Sequence, residues 1–159
     1  GTIASATEQV TGIDVSSLPD GTLTYSVTLT DTAGNTGSAA TATATFDSAP
    51  LGYTITANDS LVNAIEAVAT GFTFAGAEVG ATYSYTITSD AGGTPVSGSG
   101  TIASATEQVT GIDVSSLLDG TLTFSATLTD AAGNTGSAAT ATATLAAVDA
   151  ALASVEDWL

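Results

Sequence analysis

The chain has 159 residues and a formal charge of −16, carried by 16 carboxylates with no Lys, Arg or His. Nucleic-acid backbones and anionic lipid surfaces are bound by Lys and Arg, so both are excluded as charge-driven partners. The chain also contains no Cys, which excludes disulfides and thiolate metal sites.

Residues 1–46 recur at 100–145 at a constant offset of 99 residues, with five differences: Pro19/Leu118, Tyr25/Phe124, Val27/Ala126, Thr32/Ala131 and Phe46/Leu145. A fixed offset of that size marks tandem domains. Residues 47–145 thus read as one complete unit, residues 1–46 as the back half of another, and residues 146–159 as a tail. Because the chain opens on Gly1 in mid-repeat, it is expected to be a processed piece or an excerpt of a longer array. No apolar run is long enough to span a bilayer as a helix, so direct membrane insertion is not expected.

In the half-unit, Thr2-Ile3-Ala4 and the apolar positions Val10, Ile13 and Val15 predict two short strands. Pro19-Asp20-Gly21 predicts a turn, since Pro presets φ, Asp bonds locally and Gly accepts a positive φ. Residues 22–30 alternate Leu23, Tyr25, Val27 and Leu29 with Thr and Ser, the period of a strand with one face in a core and one in water. Asp31-Thr32-Ala33-Gly34-Asn35 predicts another turn, and the Ala/Thr alternation of residues 36–46 a last strand. Asp47-Ser48-Ala49-Pro50 reads as a linker that Pro50 stiffens.

In the complete unit, Tyr53-Thr54-Ile55-Thr56, Phe72-Thr73-Phe74 and residues 82–88 predict strands, the last with Tyr83, Tyr85 and Ile87 on one face. Between the first two, Leu61, Ile65 and Val68 have helical spacing behind a cap at Asp59 or Ser60, so a helical turn is expected. Gly76-Ala77-Glu78-Val79-Gly80 is a loop, and residues 89–100 a Gly/Ser-rich loop with a ragged strand near Val96. The second copy adds strands at 101–103, 109–114, 121–129 and 135–145. Seven short strands with turn signals about every ten residues predict an all-β fold, an antiparallel sandwich. In the tail the period changes. Val148, Leu152, Val155 and Leu159 lie on one helical face, predicting a short C-terminal helix that caps the last domain or docks a partner.

Asp119-Gly120, the run Asp130-Ala131-Ala132-Gly133-Asn134-Thr135 and the linker Asp47-Ser48-Ala49-Pro50 together resemble a bacterial immunoglobulin-like repeat. The resemblance covers residues 1–145 and not the tail. It implies an immunoglobulin-like sandwich in tandem, extracellular or cell-surface display, and a spacer role in the long arrays of giant adhesins and other surface proteins of Gram-negative bacteria. In several members of such families Ca2+ is bound near domain junctions.

Loop order in a seven-strand sandwich puts Asp47, Glu78 and Asp130 at one pole of the complete unit and Asp59, Asp90 and Asp119 at the other. Asp20 lies at the pole of the half-unit that faces the junction. Asp20, Asp47, Glu78 and Asp130 are therefore candidate Ca2+ ligands, with Asn134 or backbone carbonyls completing the set. Carboxylates brought together without a cation repel, and hard anionic oxygens suit Ca2+. The competing reading is turn chemistry, with Asp31 and Asp130 capping their own turns and Asp20 and Asp119 standing before a turn glycine. Glu66 likewise either caps or joins Asp59 in a second site. With no His, Cys or Lys to activate a nucleophile, and no aromatic-lined groove between paired carboxylates, no enzymatic activity is expected.

Two main functions remain. The first is structural: a spacer, stalk or fibre unit whose partners are neighbouring repeats of the same protein and whose length scales with their number. The second is a module that binds a glycan or protein. Exposed Tyr83 and Tyr85 would favour binding, and their burial the spacer. A further alternative is a self-assembling fibre subunit, because residues 1–46 alone leave an unpaired edge and an open core face that a neighbour would complete. Each chain carries two back halves and one front half, so such swapping leaves a back half over.

Overall fold

Thr alternating with apolar residues folds as paired strands in both copies of the repeat. The computed structural model describes residues 1–48 and 52–147. It divides into two units, Gly1–Ser48 and Ala49–Leu159. In the first, β1 (Gly21–Val27) and β2 (Ala40–Phe46) pair antiparallel in continuous register from Gly21↔Phe46 to Val27↔Ala40.

The second unit contains β3 (Thr54–Ala57), β4 (Leu61–Asn63), β5 (Thr70–Ala75), β6 (Thr82–Ser89), β7 (Val96–Thr101), β8 (Gln108–Ile112), β9 (Gly120–Thr129) and β10 (Ala139–Ala146). They form a three-stranded sheet, β3-β5-β8, and a five-stranded sheet, β4-β10-β9-β6-β7. All pairs are antiparallel except β10 with β4. Two sheets of short strands with this order, antiparallel but for that one pair, make an immunoglobulin-like sandwich. The inward side of the alternation fills the space between them. Phe72, Phe74, Ile87, Leu122, Phe124 and Leu128 are all buried. Phe72 stands edge-on to Phe74, Tyr85 and Phe124, with centroids 5.3, 5.4 and 6.1 Å away, separations favourable to aromatic pairs.

Three expectations need correction. The helical spacing of Leu61, Ile65 and Val68 does not make a helix against the core: Val62 enters the core from β4, and Ile65 and Val68 are exposed. Only a 3-10 turn, Glu66–Val68, follows. Asn63 Oδ1 accepts the Ile65 and Glu66 amides while Glu66 Oε2 accepts the Asn63 amide, a reciprocal cap that closes one turn. Next, residues 2–4 and 10–15 of the half-unit are not strands. Their counterparts in the second unit pair with β6 and β5, and the half-unit has no such strands among the described residues. Finally, Ala146 ends a strand. The rest of the expected helix, at 148–159, and Ala49-Pro50 of the expected linker lie outside the described residues.

Among the described residues, charge is confined to the connections. Among the described residues no strand contains an Asp or a Glu. The described carboxylates stand in turns and loops.

Candidate functional site

The turn that follows the longest alternating strand is built twice on a carboxylate. In the second unit Asn134 donates to Asp130 through its amide to Oδ1 and its side-chain Nδ2 to Oδ2, both at 2.8 Å. The Asp130 amide returns a bond to the Asn134 carbonyl at 3.0 Å. Asp31 and Asn35 repeat the arrangement at 2.9, 3.0 and 3.0 Å. Gly34 and Gly133 take φ of 89° and 94°, a conformation costly for any residue with a Cβ, which is why the motif requires glycine there. Beyond each turn a pair of threonine hydroxyls closes the neck, Thr30 with Thr36 and Thr129 with Thr135, at 2.9 Å. Burial pushes the Asp130 carboxyl up, but the bonds from Asn134, Ala132 and Gly133 outweigh it and hold the group below the usual range. Bonds from the Asn35 side chain and backbone hold Asp31 down in the same way. Asp14 and Asp113 are also lowered, by Ser16 and Ser115.

A second device sits where the chain leaves each unit. Asp20 Oδ1 accepts the Ser48 amide at 2.9 Å, and Asp119 Oδ1 accepts the Ala147 amide at 2.9 Å. The residues are separated by 28 positions in both copies, so the turn before β1 or β9 clamps the segment that follows β2 or β10. Turn chemistry explains why an Asp precedes the glycine, but the bond to the exit is a long-range contact that local pattern does not reveal. The repeat itself was the available signal, since Asp20 and Asp119 coincide at the 99-residue offset.

The four candidate ligands distribute as follows. Asp20 and Asp47 flank the Gly21↔Phe46 pair and share one end of the first unit. Glu78 lies in the β5–β6 connection and Asp130 directly follows β9, and the pairing Thr82↔Thr129 places them at one end of the second unit. Asp130 is buried, Asp47 and Glu78 are half-buried and Asp20 is exposed. Among the described residues no three carboxylates gather closely enough to hold a metal ion. The donor chemistry, anionic oxygen, fits a hard divalent cation, but within either unit such an ion would need backbone carbonyls as well. Glu66 serves the cap described above.

Tyr83 and Tyr85 decide between display and packing. Both face the core side of β6, half-buried, with Tyr83 5.4 Å from Phe74 and Tyr85 5.4 Å from Phe72 between ring centroids. They lie across from Gly100 and Gly98 of β7, where a Cβ would come within 2.5 Å of the phenol oxygens. The rings fill the space that the two glycines leave at the sheet edge, and burial raises both phenols above their ordinary range. Tyr53 has a role that its place in a predicted strand did not show. It lies just before β3, with its hydroxyl 2.7 Å from the Ser137 carbonyl and 3.1 Å from that of Ala126, and accepts the Leu128 amide at 3.1 Å. It thereby ties the entry of the unit to the β9–β10 connection.

A family model described as a bacterial Ig-like domain matches residues 3–48 and 62–145. The chain belongs to the bacterial Ig-like domain family. Among solved structures, the tetra-tandem repeat in the extending region of a large adhesion protein is 31% identical, with a TM-score of 0.55, over 87% of this chain and 35% of that one. A 1.5-MDa bacterial ice-binding adhesin, in a structure concerned with host cell surface retention, matches at 26% identity and a TM-score of 0.45, over 80% and 42%. The D00-D0 domain of intimin matches at 20% identity and a TM-score of 0.40, over 80% and 65%. This bacterial Ig-like chain spans less than half the length of the two adhesin chains. Comparison with curated proteins gave no match. No helix among the described residues is long and apolar enough to cross a membrane.

Proposed function

We propose that this chain is a spacer segment of a long extracellular bacterial surface protein, in which Ig-like repeats set length and hold a distal part away from the cell. The observation that carries this reading is the exit clamp, Asp20 to Ser48 and Asp119 to Ala147, which fixes in each copy how the backbone leaves its last strand. A module selected to present loops to a ligand has no need of a repeated constraint at that point, whereas a spacer does. The packing of the half-buried Tyr83 and Tyr85 against Phe74 and Phe72 supports the same reading, as does the likeness to the extending region of a large adhesion protein. The role is non-catalytic, and its partners are neighbouring repeats.

Ca2+ belongs to this proposal as the stiffening ion at junctions, with Asp20, Asp47, Glu78 and Asp130 as the candidate ligands. Its support is the uncompensated charge of −16 and the placement of the described carboxylates outside the strands. The test is thermal unfolding of the whole chain in chelator and then in millimolar Ca2+ or Mg2+. A rise that Mg2+ does not reproduce and that Asp47→Asn or Asp130→Asn removes is the expected result. Identical melting in all three conditions would dismiss the ion. The spacer role is tested separately, by placing one, two or four copies between a surface anchor and a reporter. Reach should grow with copy number, and adhesion by cells displaying the chain alone would refute the role.

A further inference from the structure

The outermost strand of a sheet carries backbone groups that its single neighbour cannot satisfy, and natural sheets blunt such edges. Among its described residues the second unit has four edges, β3 and β8 in one sheet and β4 and β7 in the other. β3 has four residues and β4 three, too few to template a partner. β8 is interrupted by a register shift and by Gly111 at φ 72°, and it is flanked by Glu107 and Asp113. β7, Val96-Ser97-Gly98-Ser99-Gly100-Thr101, has none of these guards. It holds six residues in unbroken register with β6 and carries no charge, and Pro95 stands before the strand rather than in it.

The direction of the free groups on β7 follows from the end of its ladder. The Ile102 amide donates to the Ala81 carbonyl, and the Ile102 carbonyl accepts the Gly80 amide, both at 2.9 Å. Ile102 therefore turns both groups toward β6. Backbone groups alternate along a strand, so Gly100, Gly98 and Val96 do the same, and Thr101, Ser99 and Ser97 turn theirs outward. Among the described residues no other strand lies on that side. The side chains of these three residues are exposed on the outer face, in the rows Thr82↔Thr101, Ser84↔Ser99 and Thr86↔Ser97. Hydroxyls already link neighbouring strands along such rows, Ser84 with Thr127 at 2.8 Å and Thr86 with Ser97 at 3.1 Å. On the inner face Gly98 and Gly100 offer no side chain, and the half-buried rings of Tyr85 and Tyr83 lie over them.

We infer that β7 is a homotypic docking edge, which pairs antiparallel with β7 of a second copy of this chain by strand addition. A twofold axis at Ser99 sets Ser99 opposite Ser99, and Ser97 opposite Thr101 of the second copy. Each pair exchanges two amide–carbonyl bonds, so all the outward groups of Ser97, Ser99 and Thr101 are used. The outward pattern reads the same in both directions, hydroxyl opposite hydroxyl, and the rows of the outer face run on into the second sheet. Gly98 meets Gly100 of the second copy with no side chain between them, and the exposed parts of the tyrosine rings gain cover. Charge selects this occupant. β7 has no carboxylate to attract a cationic strand, and it is an uncharged line in a chain of −16, where two copies approach at least cost. One edge is a small contact, so the pair is weak, with a Kd of about 0.1–1 mM. Arrays bearing many such edges would join side by side through avidity, whether or not they serve as spacers.

Sedimentation equilibrium of the 159-residue chain tests the pairing. Protein is taken to about 1 mM while NaCl rises from about 0.1 M to about 1 M, which shortens the screening length from about 10 Å to about 3 Å. Monomer should convert to dimer as salt rises. Hydrogen exchange should then slow at the Ser97, Ser99 and Thr101 amides, whereas Gly98, Gly100 and Ile102 should be slow in monomer and dimer alike. Ser99→Pro removes an outward amide, keeps every bond to β6 and should weaken the dimer at least about tenfold. Ser99→Glu keeps every backbone group, sets two like charges face to face on the axis and should also weaken the dimer. Where Ser99→Pro lowers the thermal transition of the second unit, Ser99→Glu alone carries the test. Thr123→Glu puts the same charge on the outer face two strands away, on β9, and should change the affinity less than about twofold at high salt. A monomer at every salt concentration would overturn the inference. So would a dimer that both Ser99 variants leave intact, since its contact would then lie elsewhere.

Discussion

Leu29 and Leu128 occupy the same place in the repeat, 58% and 0% exposed. Truncating each to Ala is therefore an internally controlled measurement of what the front half contributes. Leu128→Ala removes three buried carbons, about 2.4 kcal/mol at roughly 0.8 per methylene. The cavity left behind raises the cost to about 3–5 kcal/mol. For a domain near 100 residues, 3 kcal/mol corresponds to a fall in Tm of about 12–24 °C. Leu29→Ala gives up less than half of the transfer term and opens no enclosed cavity, so its cost stays below about 1 kcal/mol. Scanning calorimetry of the whole chain reads both variants against the parent. Leu128→Ala should lower the second unit's transition by the full amount, and Leu29→Ala should leave that transition unmoved. Comparable losses from the two substitutions would refute the reasoning, because they would mean that the half-unit face is covered in solution.

Tyr53→Phe removes the oxygen that accepts the Leu128 amide. It should cost about 1–3 kcal/mol in urea unfolding, and a loss below about 0.5 kcal/mol would show that the amide finds another acceptor. Gly98→Val drives a branched side chain into the Tyr85 ring and should destabilise by about 1–3 kcal/mol, whereas Ser97→Val on the outer face should be nearly neutral. The carboxyls of Asp14, Asp31, Asp113 and Asp130 are lowered in the folded chain, so the unfolded chain binds protons first as pH falls. Their stabilisation is complete above pH about 4 and is lost as pH drops through each folded value. Tyr83 and Tyr85 are raised, so their contribution is complete below pH about 10 and is lost above it. Relief of the overall negative charge in acid acts the other way, and the difference in Tm between parent and Asp130→Asn isolates the local effect. That difference should shrink between pH 7 and pH 2.5, and a constant gap would refute it.

The central strands were legible because their alternation is strict. Residues 121–129 place Leu122, Phe124, Ala126 and Leu128 on one side with Thr and Ser on the other, and they form β9. The Asp-Asn turn was legible for a similar reason, since turn residues act over four positions. The Asn63–Glu66 cap shows the limit of this method. Leu61, Ile65 and Val68 carry a helical period, but the parallel pairing of β4 with β10 is a long-range choice that claims Val62 for the core. The same limit applies to residues 2–4 and 10–15, whose strand pattern is real and whose partners are absent from the described half-unit. Tyr53 and the exit clamps depend on groups 28 to 84 residues apart, a separation at which only the fold decides who meets whom. Alternation placed Tyr83 and Tyr85 on one face and did not reveal that glycines opposite them make room for the rings.

The placement of every described carboxylate outside the strands divides this sequence into two inventories that can change separately. A substitution in a turn alters charge without entering a sheet, and a substitution in a sheet alters fit without altering charge. The five differences between the copies respect that division, since none adds or removes a charge. Turns are also where salt and water act first, so a repeat of this kind can be retuned for brine or fresh water through its loops while its core stays as it is. The fixed points in such drift are Asp20, Asp31 and their counterparts Asp119 and Asp130, where the carboxylate is itself part of the architecture.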